Sequence, residues 1–320
     1  MNGNLGRDRL WNEHIWSEID RAVREEVGRI RVAQKVFPAT VVNNVLPVST
    51  SRSVAFGALA PVFPVPDQFQ PFFEISTEFV LTQAQVDAED NARLAQYFAR
   101  QAASVIAGGE DTILFLGPGA IPRLVAAGVY VTNQPAAIPP GFVAEAAAYE
   151  PPRVPAVHVR GATPLGAPPP TSVGDIIGAV AQGMANLNTR SQPGPYALFL
   201  SPERYAQTFA PSSANQLETP GDQINHVVRG GFYMVSCLAV PPAPGPPRPD
   251  VGILVSLGGV PAEIILGTDP TIGFTCTDVQ GDYHFRVFER IQMVVRDGRA
   301  FQTLHFEPQN AQLVSPRSHK

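Results

Sequence analysis

An α+β fold is what this sequence predicts, and two observations carry the prediction. Helical and strand-like segments run in the order helix, extended arm, strand, long helix and then mixed elements, and this is not the regular strand–helix alternation of a βαβ protein. The 320 residues are 44% hydrophobic, enough for one large domain or two ordinary ones with a real core. No internal repeat interrupts this order.

The first element spans residues 8–32. Trp11, Ile15, Ile19, Val23, Val27 and Ile30 recur at spacings of three and four, the signature of an amphipathic helix, and Trp16 widens the stripe. Such a stripe faces either the helix's own domain or a partner. Pro38 stops the helix. Val41, Val42 and the run 45–48 then suggest a strand or extended arm. Residues 50–72 carry prolines and Phe56, Phe63, Phe69 and Phe72 without helical period, so they form either a hairpin laid on a neighbour or a loop over their own core.

Ile75, Thr77, Phe79 and Leu81 alternate as a strand does. Residues 83–107 read as one long helix: Asp87, Glu89 and Asp90 favour its N-terminal end, and Gly108-Gly109 close it. Ile113–Leu116 is a separate apolar run, and Glu110-Asp111 a solvated turn. The Pro/Ala-rich residues 134–170 read as a surface insertion, and the prolines between Val240 and Asp250 as a long loop. Residues 172–187 form a helix, and Tyr196–Leu200 a buried strand. Ser201-Pro202-Glu203 opens another helix with a good cap. Residues 224–228 lead into a strand at 232–239. Strands follow at Ile253–Leu257, Glu263–Leu266, His284–Val295 and Ala300–Phe306.

Charge and cysteine content narrow the function classes. The net charge of −5 offers no basic field for nucleic acid. Only 16% of residues are charged, fitting either a surface largely covered by neighbours or a large monomer. The lysines are Lys35 and Lys320 alone; the other basic residues are arginine. Cys237 and Cys276 make no disulfide framework or metal motif and read as buried free thiols. The charged N-terminus lacks a secretory h-region, and no run of 18 apolar residues spans a membrane, so a bacterial cytoplasm is the expected setting. The six histidines form no ligand pair. There is no phosphate-binding glycine loop and no G-x-S-x-G elbow. Cys276 with His284 is the nearest thing to a nucleophile and base, and nothing in their spacing separates them from unrelated residues.

Four blocks together resemble the family 1 encapsulins, the linocin-like shell proteins. They are Trp16-Ser17-Glu18-Ile19-Asp20; Gly194 to Tyr205 (GPYALFLSPERY); Val228-Arg229-Gly230-Gly231; and Leu266 to Phe274 (LGTDPTIGF), which is followed by Phe285–Glu289 (FRVFE). Their order across residues 11–306 carries the resemblance. It implies the HK97-like fold of tailed-phage capsids. The implied parts are an interior N-terminal helix (1–37); an E-loop (46–72); a peripheral domain (38–45, 73–135 and about 269–295); an axial domain (about 136–268 and 296–310, with Pro-rich insertions); and a flexible tail (311–320).

The resemblance also implies self-assembly into an icosahedral shell of at least roughly 60 copies. The shell encloses a ferritin-like or peroxidase cargo that carries a C-terminal targeting peptide. That peptide would dock on Ile19, Val23, Ile30, Gln34, Phe37, Ile272 and Phe274. The five-fold pore loop would comprise Ser212, Ser213, Ala214, Asn215, Gln216, Leu217 and Glu218. The stretch Ala33–Pro38 departs from the family's Gly-Arg-Lys followed by a later Asp, so the accepted peptide can differ. Some members place a Trp beside a flavin where this chain has Ala84, so no cofactor is expected.

The rival readings are a phage or prophage major capsid protein and a soluble hydrolase. Six arginines against six acids in the first 31 residues give no basic lining for packaged DNA, and residues 46–72 hold no lysine for covalent crosslinking. The hydrolase reading has no nucleophile to defend it. No catalytic residue, nucleic acid or membrane partner is expected.

Overall fold

The computed structural model describes residues 6–7, 10–42, 47–49, 53–55, 62–64, 69–132, 138–148, 157–162, 174–210, 218–239 and 250–308. The chain divides into two units. The first comprises residues 1–52, 65–140 and 262–295, and the second residues 53–64, 141–261 and 296–320.

The first unit is a five-stranded sheet with two helices against it. In spatial order its strands are Ala39–Val41, Ala262–Thr277, Tyr283–Val295, Phe73–Leu81 and Tyr130–Thr132. The first pair is parallel and the others antiparallel. The N-terminal helix, Glu13–Ile30, opens at Asn12, whose side chain accepts the Ile15 N–H at 3.0 Å. Trp16, Ile19, Val23 and Val27 are buried, so the stripe faces the helix's own domain.

The segment expected as one helix over 83–107 is three helices: Gln83–Asp87, Glu89–Ala92 and Leu94–Leu116. Arg93 turns left-handed at φ 51°, and the buried Glu89 carboxylate accepts the N–H groups of Ala95 and Gln96 at 2.6 and 3.1 Å. The Glu89 carboxylate therefore caps a fresh helix that starts at Leu94 rather than at residue 83. That helix runs straight through Gly108-Gly109. A β-carbon on Gly109 would stand 3.2 Å from Val129 Cγ1, so the residue is there for close packing rather than as a stop. The helix ends at Gly117, with φ 67°. The apolar run Ile113–Leu116 is its last turn, and Glu110 and Asp111 are buried within it.

Strand Ala262–Thr277 is far longer than the expected Glu263–Leu266. It carries the whole Leu266–Phe274 block, absorbing it by register shifts between Leu266, Thr268 and Thr271. Residues 262–268 and the described residues 138–140 belong to the first unit. Cys276 lies exposed near the end of this strand; only Cys237 is buried. Within the arm expected at 46–72, Val48–Ser49 pairs antiparallel with Phe69–Gln70, and Ser53–Ala55 pairs with Val62–Pro64.

The second unit is another five-stranded sheet, in the order Gly231–Met234, Tyr196–Leu200, Asp250–Ser256, Phe301–Pro308 and Val157–Ala162. Helix Gly174–Thr189 supplies Ile176, Val180 and Leu187 to a core with Leu198, Leu200, Ile224, Leu254, Leu304 and Phe306. Ser201 caps Pro202–Gln207, as its sequence anticipates. Thr219 and Asp222 form a reciprocal capping box that opens helix Pro220–Val227, where no helix was anticipated. The strand expected at 232–239 ends at Met234 and gives way to a 3₁₀ turn, Ser236–Leu238.

Residues 134–170 are more than a surface insertion. Helix Phe142–Ala147 buries Phe142, stacked on Phe301 at 5.3 Å, and Val157–Ala162 joins the sheet in parallel with Phe301–Pro308. The Pro-rich residues 241–249 and the tail 311–320 lie outside the described residues.

Candidate functional site

The seven residues expected to receive a docking peptide fall on the N-terminal helix, the turn that follows it and strand Ala262–Thr277. Four of them are buried within the unit itself. Ile19 and Phe37 are 1% exposed, and Val23 and Ile272 are 0%. The helix stripe is the unit's own core, and a period of 3.6 cannot say which body an apolar face meets. Ile30, Gln34 and Phe274 stay half-buried.

Beneath Gln34 lies a buried ionic junction. Arg31, the residue after the N-terminal helix, forms ion pairs with Glu110 of the long helix and Glu289 of strand Tyr283–Val295. Gln34 donates from Nε2 to Glu110 Oε1 at 2.8 Å and accepts from Arg31 Nη1 at 3.2 Å. The Asp111 carboxylate accepts the N–H groups of Val32 and Ala33 at 2.9 and 3.0 Å. These contacts staple the turn below the candidate docking face to both the long helix and the sheet.

One guanidinium thus stands among three buried carboxyl groups. Burial, reinforced by the Glu110 charge, pushes the Asp111 carboxyl up to about 7, against the pull of its two backbone donors and Arg31. Burial and Glu110 likewise hold Glu289 well above the usual carboxylate range, with Arg31 opposing. Glu110 and Asp111 are therefore buried inside a helix, not in the solvated turn that the sequence suggests. The signal that could have corrected this is the apolar flank, Ile106-Ala107 before and Ile113-Leu114 after, which keeps helical spacing across the acids.

A shallow polar cleft of about 160 Å³ opens between the N-terminal helix and the start of the long helix, lined by His14, Glu18, Glu89, Asp90, Arg93 and Gln96. At the far end of the sheet, Cys276 stands opposite His284 in the ladder, and His284 Nε2 lies 3.3 Å from Asp278 Oδ2. Among the described residues no group of three His, Cys, Asp or Glu is placed to hold a metal ion. No described helix is long and apolar enough to cross a membrane. Of the expected pore loop only Glu218 is described, and it is exposed; residues 212–217 lie outside the described residues.

Comparison with known proteins gives three findings. Residues 157–292 match the family model described as an encapsulating protein for peroxidase. The fold matches the virus-like particle protein of Pyrococcus furiosus with a TM-score of 0.60 at 13% identity, covering 92% of this chain and 100% of that one. It also matches the capsid of Myoviridae phage XM1 (TM-score 0.54, 9% identity, 87% and 92% covered) and Mycobacterium phage Bobi (0.53, 15%, 88% and 90%). No curated protein matches at the sequence level. At these identities the structural likeness establishes the fold, which is the tailed-phage capsid fold.

Proposed function

We propose that this chain, an encapsulin-type shell protein by its family match and its capsid fold, assembles into a closed icosahedral nanocompartment around a cargo protein. One observation carries the reading: the encapsulating-protein model falls on residues 157–292 of a chain whose fold matches capsids over about nine-tenths of its length. Heterologous contacts between copies close into such assemblies when their rotations close.

In this account at least roughly 60 copies form the shell. The cargo's C-terminal peptide docks on Ile30, Gln34 and Phe274, and the segment 212–218 lines the five-fold pore. The chain works in the cytoplasm without catalysing a reaction and without binding nucleic acid or membrane.

The phage-capsid reading shares the fold and differs in content. Purifying native particles after nuclease treatment and analysing what they hold separates the two. One co-enclosed enzyme and no protected DNA is the expected result. A genome-length protected DNA would replace the encapsulin reading with the phage one.

A further inference from the structure

The segment ahead of the N-terminal helix is held as a ligand is held. Arg7 Nη1 and Nη2 each lie 2.7 Å from an oxygen of the Asp20 carboxylate, a bidentate fork. Nη2 also reaches Thr271 Oγ1 at 3.0 Å, and Nε reaches the Ile272 carbonyl at 3.2 Å. The guanidinium carbon sits 5.0 Å from the centroid of the Trp16 ring. Trp16 Nε1 donates back to the Arg7 carbonyl at 3.0 Å.

The cradle also has contacts of its own. Asp20 accepts from the Thr271 hydroxyl at 3.1 Å and from the Ile272 N–H at 3.3 Å, so strand Ala262–Thr277 helps to hold the carboxylate in place. Asp20 is buried, while the Arg7 side chain keeps 17% exposure, so the occupant enters from the surface. A planar fork meeting a carboxylate, two oxygens and an indole face selects guanidinium over ammonium.

Beside it, the Trp11 ring stacks on Phe285 at 5.2 Å and donates from Nε1 to the Val86 carbonyl at 3.0 Å. Gly6, at φ 70°, lies so close that a β-carbon would stand 2.8 Å from the Phe274 carbonyl oxygen. Residues Gly6, Arg7 and Trp11 therefore cover Phe274 and Phe285.

We propose that Asp20, Thr271, the Ile272 carbonyl and the Trp16 ring form a guanidinium-binding site. Arg7 fills it in cis, and the arginine of an incoming peptide takes Arg7's place and lifts the N-terminal segment from Phe274. The site itself stands apart from the shell reading; only the consequence at Phe274 rests on it.

The test uses the full chain. Its two tryptophans, Trp11 and Trp16, both report on this site, so intrinsic emission reads the cover directly. Arg7→Ala should shift the emission to the red while far-ultraviolet circular dichroism stays unchanged. Millimolar ethylguanidinium should change the emission of this variant saturably, by seating against the Trp16 ring, and ethylammonium should not. Asp20→Asn in that background should weaken this binding at least roughly tenfold, the worth of a charge-assisted hydrogen bond. Arg7→Lys, which keeps the charge, should remain red-shifted. Unshifted emission in Arg7→Ala, or an equal response to both cations, overturns the site. For displacement, the wild-type chain is titrated with acetyl-Gly-Arg-Gly-amide. A red shift that the matching lysine peptide does not produce is expected, and no shift at saturation overturns exchange. Neither readout depends on particle formation, so failure of the shell reading shows separately.

Discussion

Replacing Arg31 by leucine tests the buried junction most sharply. Arg31 is the cation that Glu110 and Glu289 share, and the side chains of both acids are 0% exposed. Removing one partner of a buried ion pair costs about 3–5 kcal/mol, because a charge is left without compensation. Here two carboxyl groups lose their partner, so the variant's fold favours protonation of Glu289 still more than the native fold does. The deficit should accordingly be larger at pH 8 than at pH 6, by at most about 1.4 kcal/mol per pH unit for each proton taken up. Guanidinium unfolding followed by circular dichroism at both pH values reads this directly. The double variant Arg31→Leu/Glu289→Gln should recover part of the loss, since one of the stranded charges is gone. A deficit under about 1 kcal/mol that is equal at both pH values would refute the reasoning, because it would mean that water or a neighbour already satisfies the carboxylates.

Three further outcomes follow from the same structure. Asp111 has an ordinary value of 3.8 and is raised to about 7 in the fold, so its protonated form stabilises the fold. That contribution is full below pH 4 and is lost as pH rises through 7; Asp111→Asn should flatten this part of the stability profile measured by thermal unfolding. Trp16→Ala empties a side chain that is 1% exposed and should cost about 3–5 kcal/mol in the same unfolding assay, whereas Tyr97→Ala on the exposed face of the long helix should stay within about 0.5 kcal/mol. Thr219→Ala removes a capping box and should cost about 1 kcal/mol, with the local loss visible as faster amide exchange over residues 220–227.

Local chemistry made much of this fold legible. The stripe from Ile15 to Val27, the alternation from Ile75 to Leu81 and the Ser201-Pro202 cap each read through to the structure, because each rests on contacts a few residues away. What failed depended on partners distant in the chain. Gly108-Gly109 looks like a helix stop until Val129 is seen packed against Gly109. Glu89 looks like one of three first-turn acids until its carboxylate is found restarting the helix at Ala95. Glu110 and Asp111 look solvated until Arg31, nearly 80 residues earlier, closes over them.

The docking face shows the same limit. Helical period identified Ile19 and Val23 as one apolar face but could not say that the sheet of their own unit already filled it. Ile30 at the end of the helix, Gln34 in the turn after it and Phe274 on strand Ala262–Thr277 are half-buried. The Arg7 site was not legible at all, because it joins a residue ahead of the helix to a strand some 264 positions later.

Closure into a shell is read by negative-stain electron microscopy of the purified protein with light scattering for mass. Uniform hollow particles of about 2 MDa or more, the mass of roughly 60 copies of a 34.3 kDa chain, are the predicted result. A species that stays a monomer or dimer under every mild condition would contradict the account, leaving the capsid fold in place and the shell without support.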